Sequence, residues 1–360
     1  MSKKELNSDI NELMKRINKF SNVNKEYEYL NTGIDVLDNF FAGFSDVQRG
    51  RGGMLRGKMY SFSGGAGVGK TTLLLDICKR FCENKYNVLY IDVEDGINDR
   101  FLESVDLLKY YTNDIQDYGK DQNNRFFVVS PQTYGECIDV IKDILKIVKV
   151  DFIVIDSIKH LLTSTDIDSN SEDIEGMLLD KRIEGVFFPI LKNIARKYNL
   201  TICFIQQVRV KKKGMFFVVD ESGGNAFLHS VDSRLFLKQK ETIEVDKINN
   251  EGIKIRKEVG NIVEIVTKKS RFGMFNLTLP IVFGKGISLV YYYYRILKNI
   301  GYIQNKASIY SINVGDLDVK VKGENEVYKV IKDNFEKIED FLYKNNLIVI
   351  EKDKEEEDGV

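Results

Sequence analysis

Residues 64–71 read Gly-Gly-Ala-Gly-Val-Gly-Lys-Thr, and Thr72 follows. This is the spacing of a phosphate loop. Glycines at Gly64, Gly65, Gly67 and Gly69 let backbone N–H groups turn inward around an anion, with Ala66 and Val68 between them. A helix opening at Lys70 adds the positive end of its dipole. In this pattern Lys70 reaches the β- and γ-phosphates, and the Thr71 hydroxyl holds Mg²⁺. The flanks agree: Lys58–Ser63 is a buried-strand pattern and Thr72–Cys78 a helical one. The chemistry predicted is ATP binding with Mg²⁺. A glycine-rich turn that binds nothing explains the spacing less well.

Three further positions belong to the same chemistry. Asp156 ends the apolar run Phe152–Ile155, and a carboxylate at the C-terminal end of a parallel strand faces the ligand crevice. It is expected to hold Mg²⁺ through water. Glu94 ends the run from Leu89 and is expected to orient and polarise the water that attacks the γ-phosphate. Asp92, two residues earlier, reads as structural. Gln207 ends Ile202–Gln207; its amide could bond the γ-phosphate and lose that contact on hydrolysis.

A basic stretch follows directly. Arg209, Lys211, Lys212 and Lys213 precede Gly214-Met-Phe216-Phe217, and Ser222-Gly223-Gly224-Asn225 comes next. Four cations in five residues cannot sit unpaired in a core. One reading is a solvated charge run. The better one is a nucleic-acid loop: cations on phosphates, glycines for close approach, and Phe216 or Phe217 against bases.

The elements that must position these residues alternate in type. Strands are expected at 58–63, 87–93, 125–130, 151–156 and 201–206. Helices are expected at 70–84, 98–108, 134–147 and 178–198, the last kinked or restarted at Pro189. Alternation with doubly apolar strands predicts an α/β fold with a doubly wound, mostly parallel sheet. Strands at 234–237, 260–267 and 275–283 without long helices between them predict an antiparallel extension. Residues 288–298 look helical. A strand pair near Ile309 and Val319 and a helix at about 323–345 complete a small unit. Residues 3–20 form an amphipathic stripe of Leu6, Ile10, Leu13, Met14, Ile17 and Phe20. The divisions expected are 1–29, 30–299, 300–348 and an acidic tail, 349–360.

Composition sets limits. The chain has 360 residues, 43% hydrophobic and 30% charged, as an ordinary globular protein does. No apolar run approaches the ~20 residues of a membrane span, and no secretory h-region follows the first charges. Of the four cysteines, Cys78 and Cys82 are four apart on an expected helix and could touch one metal, but no His or further Cys lies near them, so reduced, packed thiols of a cytoplasmic protein are the better reading. Neither His160 nor His229 is given a catalytic role. The segment 351–358 carries −4 of the formal −1, leaving +3 on the rest. Such a tail is disordered in most proteins; it serves solubility or competes with a polyanion.

The order of motifs resembles the RecA family of strand-transfer recombinases, bacterial and phage (UvsX-like), over about 30–345. Its anchors are Asn31-Thr-Gly33, the phosphate loop, Tyr90–Glu94, Ile155-Asp-Ser157, Ile205–Arg209, Gly223-Gly-Asn-Ala226, Lys268–Arg271 and Phe283–Ile287. The resemblance implies a RecA-like ATPase core that forms helical homo-oligomers on single-stranded DNA and pairs it with homologous duplex DNA in repair. It implies Glu94 as catalytic carboxylate and Gln207 as allosteric glutamine. Phe101 would stack on adenine, with Asn98 near it, and Phe283 would also belong to the nucleotide site. Arg182 and Arg209 would be DNA-backbone cations, and 168–178 and 208–222 the two DNA loops. Lys269, with Lys268 or Thr267, would reach the neighbour's γ-phosphate, and the N-terminal helix would pack on the next protomer.

This sequence departs from the family pattern at several positions. Leu228 and His229 replace a Lys and a Phe of the interface, Ala66 replaces an acidic residue, Pro189 stands where an Arg is usual, and 44–52 look inserted. They suit a divergent, phage- or plasmid-borne member. Rival readings are a hexameric helicase or branch-migration motor, with Arg271 as its finger, and a low-turnover regulator that assembles on DNA.

Overall fold

The computed structural model describes residues 27–161, 174–213, 216–221, 224–248 and 254–352. A short strand pair, β1 (Tyr29–Leu30) and β2 (Met54–Leu55), brackets helix α1 (Asp35–Ala42). The main sheet follows with β3 (Met59–Gly64), β4 (Val88–Asp92), β5 (Tyr111–Thr112), β6 (Phe126–Val129), β7 (Phe152–Asp156), β8 (Thr201–Lys213) and β10 (Ser233–Ile248). These run parallel in the order β10-β3-β8-β7-β4-β6-β5. Strand β9 (Phe216–Glu221) pairs antiparallel with the far half of β8. Strands β11 (Lys254–Lys269), β12 (Phe275–Val282) and β13 (Gly286–Ile287) extend the sheet antiparallel from β10. The expected α/β class and the antiparallel extension are both observed.

Alternate residues of one strand explain the two layers of helices. Val88 and Tyr90 enter one core with α2 (Lys70–Glu83), while Leu89 and Ile91 enter the other with α4 (Tyr134–Ile147) and α5 (Ile174–Tyr198). A strand covered on both faces needs apolar residues throughout, so it reads as a continuous run. Helix α4 begins where predicted because Thr133 and Glu136 form a capping box. Helix α3 is only Asp99–Ser104, shorter than the 98–108 expected. Pro189 does not break α5. The helix runs on through Pro189 to Tyr198.

Helix α6 (Gly224–Ser230) leads into β10. After β13 comes α7 (Leu289–Asn299), then a three-stranded antiparallel sheet of β14 (Ile303–Lys306), β15 (Ile309–Val314) and β16 (Leu317–Lys322). The single helix expected near 323–345 is two, α8 (Glu324–Asp333) and α9 (Phe335–Lys344), divided at Asn334. Strand β17 (Glu351–Lys352) closes on β12. The 44–52 segment straps α1 to α9: Gly50 N donates to Asp35 at 2.7 Å and Gln48 N to Asn39 at 3.3 Å, while Arg49 meets Asp340 at 2.6 Å and Glu339 at 3.4 Å and lies over the Tyr343 ring. The four cysteines are free and buried. No helix among the described residues is long and apolar enough to cross a membrane.

Candidate active site

The crevice lies where β3, β7 and β4 end and where β8 passes beside them at Gln207. Strand pairing does the placing. Gly64 of β3 is in register with Gln207 of β8, and Asp92 of β4 with Asp156 of β7. A cavity of about 410 Å³ results. It brings together Ala66, Gly67, Gly69, Lys70, Thr71 and Thr72 with Glu94, Asp156, Gln207 and Phe283, all expected from sequence, and with Ile205, which was not.

The phosphate loop turns into α2 through Gly69, whose φ of +106° L side chains rarely adopt. Val68 does not line the cavity; it is buried in the core beneath it. Lys70 Nζ donates to the carbonyls of Gly64 at 2.9 Å and Gly65 at 2.7 Å. Burial lowers its pKa, against the opposing pull of Asp156 and Glu94. Asn261 of β11 donates to the Gly67 carbonyl at 3.1 Å, a loop support that no motif announces.

Asp156 is the centre of the acidic side. Its Oδ2 accepts from Thr71 Oγ1 at 3.2 Å and from Tyr90 OH at 2.8 Å. Burial pushes its pKa up to about 6; Glu94 and Asp92 add to the rise, and the two hydroxyl donors oppose it. Tyr90, fully buried on β4, is a further residue that the sequence reading passed over. Thr71 and Asp156 are two hard oxygen donors that converge, and no group of three or more metal-ligating side chains occurs among the described residues. A protein that contributes so few ligands suits Mg²⁺, which keeps waters and takes phosphate oxygens.

Glu94 lies beside Asp156, just past the end of the adjacent β4, its amide donating to the Asp156 carbonyl at 3.4 Å. Ser157 Oγ donates to Glu94 Oε1 at 2.6 Å, and His160 Nδ1 lies 3.1 Å from the same oxygen. Asp92 is structural, as expected: its carboxylate accepts from the amides of Gly96 at 3.2 Å and Ile97 at 2.8 Å, turning the chain after β4. Phe283 stands 42% exposed at the rim. The turn behind it depends on Gly286 (φ +89°), where a Cβ would fall 2.4 Å from the Asp76 carboxylate carbon. Asp76, buried on α2, accepts from the Ile287 amide at 3.0 Å.

Several expected residues are elsewhere. Asn98 caps α3, its side chain accepting from Phe101 N at 3.0 Å. Phe101 is half-buried against the core and does not line the cavity. Lys269 pairs with Arg234, which pairs with Ser61, three residues before Gly64. That is the start of β10, level with the middle of β3 and away from the crevice, which neither Lys269 nor Lys268 lines. Lys269 Nζ donates to the carbonyls of Leu228 at 2.7 Å and Val231 at 2.9 Å, and burial lowers its pKa. Lys268 is exposed and Thr267 is buried, donating to Phe275 O.

The expected loop at 208–222 is a β-hairpin instead. Strand β8 runs on from the crevice through Arg209, Lys211, Lys212 and Lys213, and β9 returns through Phe216 and Phe217. Val208 and Val210 alternate with the cations, the period-2 signal that the charges masked. Ser222 and Gly223 lie outside the described residues, while Gly224 and Asn225 open α6. Arg182 is a residue of α5. Of the other expected loop, 168–173 lie outside the described residues and 174–178 are the first turn and more of α5. The N-terminal helix and all of the acidic tail past residue 352 also lie outside them.

Residues 4–288 match the family model of the RecA N-terminal domain. Among curated proteins, Protein RecA of Malacoplasma penetrans is 28% identical over 315 residues, covering 85% of this chain and 86% of that one. Protein RecA of Clostridioides difficile is 26% identical over 337 residues, covering 92% and 88%. That of Campylobacter hominis is 28% identical over 259 residues, covering 71% and 67%. A family match across most of the sequence, together with the strand-end crevice that carries its motifs, assigns the molecule: the chain belongs to the RecA family.

Proposed function

We propose that this protein is an ATP-dependent strand-exchange protein that polymerises head to tail on single-stranded DNA, pairs it with homologous duplex and hydrolyses ATP in response to DNA. One observation carries the reading: a single strand, β8, joins the two ligand regions. Gln207 lines the nucleotide crevice opposite Gly64, and the same strand continues into the basic hairpin within two residues. A γ-phosphate that draws Gln207 therefore pulls on the backbone that bears Arg209–Lys213. A hydrogen-bonded strand is stiff along its length, so little of that displacement is lost between the two ends.

In this reading Lys70 leaves the carbonyls of Gly64 and Gly65 for the β- and γ-phosphates, which are the stronger acceptors. Glu94 orients the attacking water and accepts its proton. Thr71 and Asp156 would hold Mg²⁺, which would supply charge to offset that of the phosphates. Phe283 is the exposed apolar surface at the rim and flanks the base; Phe101 takes that role only if α3 shifts. Lys268 and Lys269 serve a neighbour's nucleotide, since they sit away from their own crevice. Such head-to-tail use of two different surfaces generates an open helical filament. The hairpin and α5 would grip the DNA backbone, with base pairing supplying the sequence check. The division at 29/30, 299/300 and 348/349 and a cytoplasmic location belong to the same proposal.

The test is ATP hydrolysis with and without homopolymeric single-stranded DNA. The wild-type rate should rise with DNA. Gln207→Ala should keep ATP binding and lose the stimulation. A wild-type rate that ignores DNA would refute the reading.

A further inference from the structure

His160 does not belong to the phosphate loop, the metal ligands or the hairpin, yet it touches the residue expected to activate water. It ends a single 3₁₀ turn, Ile158–His160, immediately after β7. Its Nδ1 lies 3.1 Å from Glu94 Oε1 and 3.1 Å from Ser157 Oγ. Ser157 spends its only hydroxyl proton on Glu94 Oε1, at 2.6 Å. An unprotonated Nδ1 would then face lone pairs on two oxygens. The bookkeeping closes only if Nδ1 carries a proton and shares it between Ser157 Oγ and Glu94 Oε1.

We propose that His160 is a positioning residue for Glu94: through an Nδ1–H donor it pins Oε1, together with Ser157, and so turns Oε2 toward the crevice as the oxygen that meets water. The inference rests on Glu94 acting as proposed above. A carboxylate held at one oxygen by two donors cannot rotate freely, and that loss of freedom is prepaid before substrate arrives. The turn that carries His160 is anchored by His160 N donating to Ser157 O at 3.2 Å, and by Ile158, which is buried in the core. The imidazole is therefore delivered by the backbone even though it is 45% exposed.

Two measurements test this. In single-stranded-DNA-stimulated hydrolysis, His160→Ala should lower kcat by between about tenfold and a hundredfold while KM for ATP stays within about twofold. His160→Asn, which puts an amide N–H near the Nδ1 position, should recover most of the loss. A His160→Ala kcat close to wild type, a loss confined to KM, or an Asn variant no better than Ala would each overturn the proposal. The second measurement needs no nucleotide. The chain has two histidines, so ¹⁵N-imidazole spectra can be assigned with His229→Gln. The neutral His160 ring should be the Nδ1–H tautomer, and Glu94→Ala should abolish that preference. An Nε2–H ring in the wild type refutes the contact. An Nδ1–H ring in a protein that turns over no ATP refutes instead the reading of Glu94, and the positioning role falls with it.

Discussion

Asp156→Asn separates what the fold wants at the crevice from what the chemistry wants. The side chain is buried, and its carboxyl titrates at about 6 rather than the ordinary 3.8 because burial disfavours the charged form. The folded pKa lies above the unfolded one, so the charge opposes folding. The cost is absent below pH 3.8, grows as the pH rises and is complete above about 6. A gap of that size costs about 3 kcal/mol at pH 8 and about 1.5 kcal/mol at pH 5. Asn is nearly isosteric and keeps an oxygen to accept from Tyr90 and Thr71, so the variant escapes the cost with its two hydrogen bonds intact. That gap is already net of the attraction to Lys70, so the gain does not exceed about 3 kcal/mol. At about 2 °C per kcal/mol for a chain of this size, thermal unfolding without nucleotide should occur up to roughly 6 °C higher at pH 8, and by about half as much at pH 5. The same variant should lose Mg²⁺-dependent ATP turnover. A variant less stable than wild type at pH 8, or a stability difference that does not change between pH 5 and 8, would refute the reasoning.

Two other outcomes follow from the same geometry. Lys70→Ala should lower ATP turnover by about 10²–10³-fold, read in steady-state hydrolysis, because under the proposed function it removes the donor to the transferred phosphoryl group. Gly286→Ala should destabilise the protein by more than about 1 kcal/mol in thermal or urea unfolding, since a Cβ meets the Asp76 carboxylate at a positive φ; it should also raise KM for ATP by moving Phe283.

The nucleotide side of the site was legible in sequence because its parts are local or end strands. A phosphate loop is contiguous, and Glu94, Asp156 and Gln207 each terminate an apolar run whose parallel neighbours bring their ends to one edge. His160, Tyr90 and Asn261 were not legible. Tyr90 reads as one more apolar strand residue, although its hydroxyl fixes Asp156. Asn261 sits 194 residues from the carbonyl it supports. The hairpin β8–β9 hid because four cations outweigh two alternating valines in any composition-based reading, whereas in the fold backbone pairing decides.

Sequence alone determined the fold class, the family and the place of the phosphate loop, because those depend on periodicity and on residues adjacent in the chain. Only the tertiary structure decided which groups share a carboxylate, where Lys268 and Lys269 sit relative to the crevice, and that segment 44–52 straps α1 to α9. Each of those rests on register between strands or contact between elements distant in sequence, and such distances are set by packing, not by spacing along the chain.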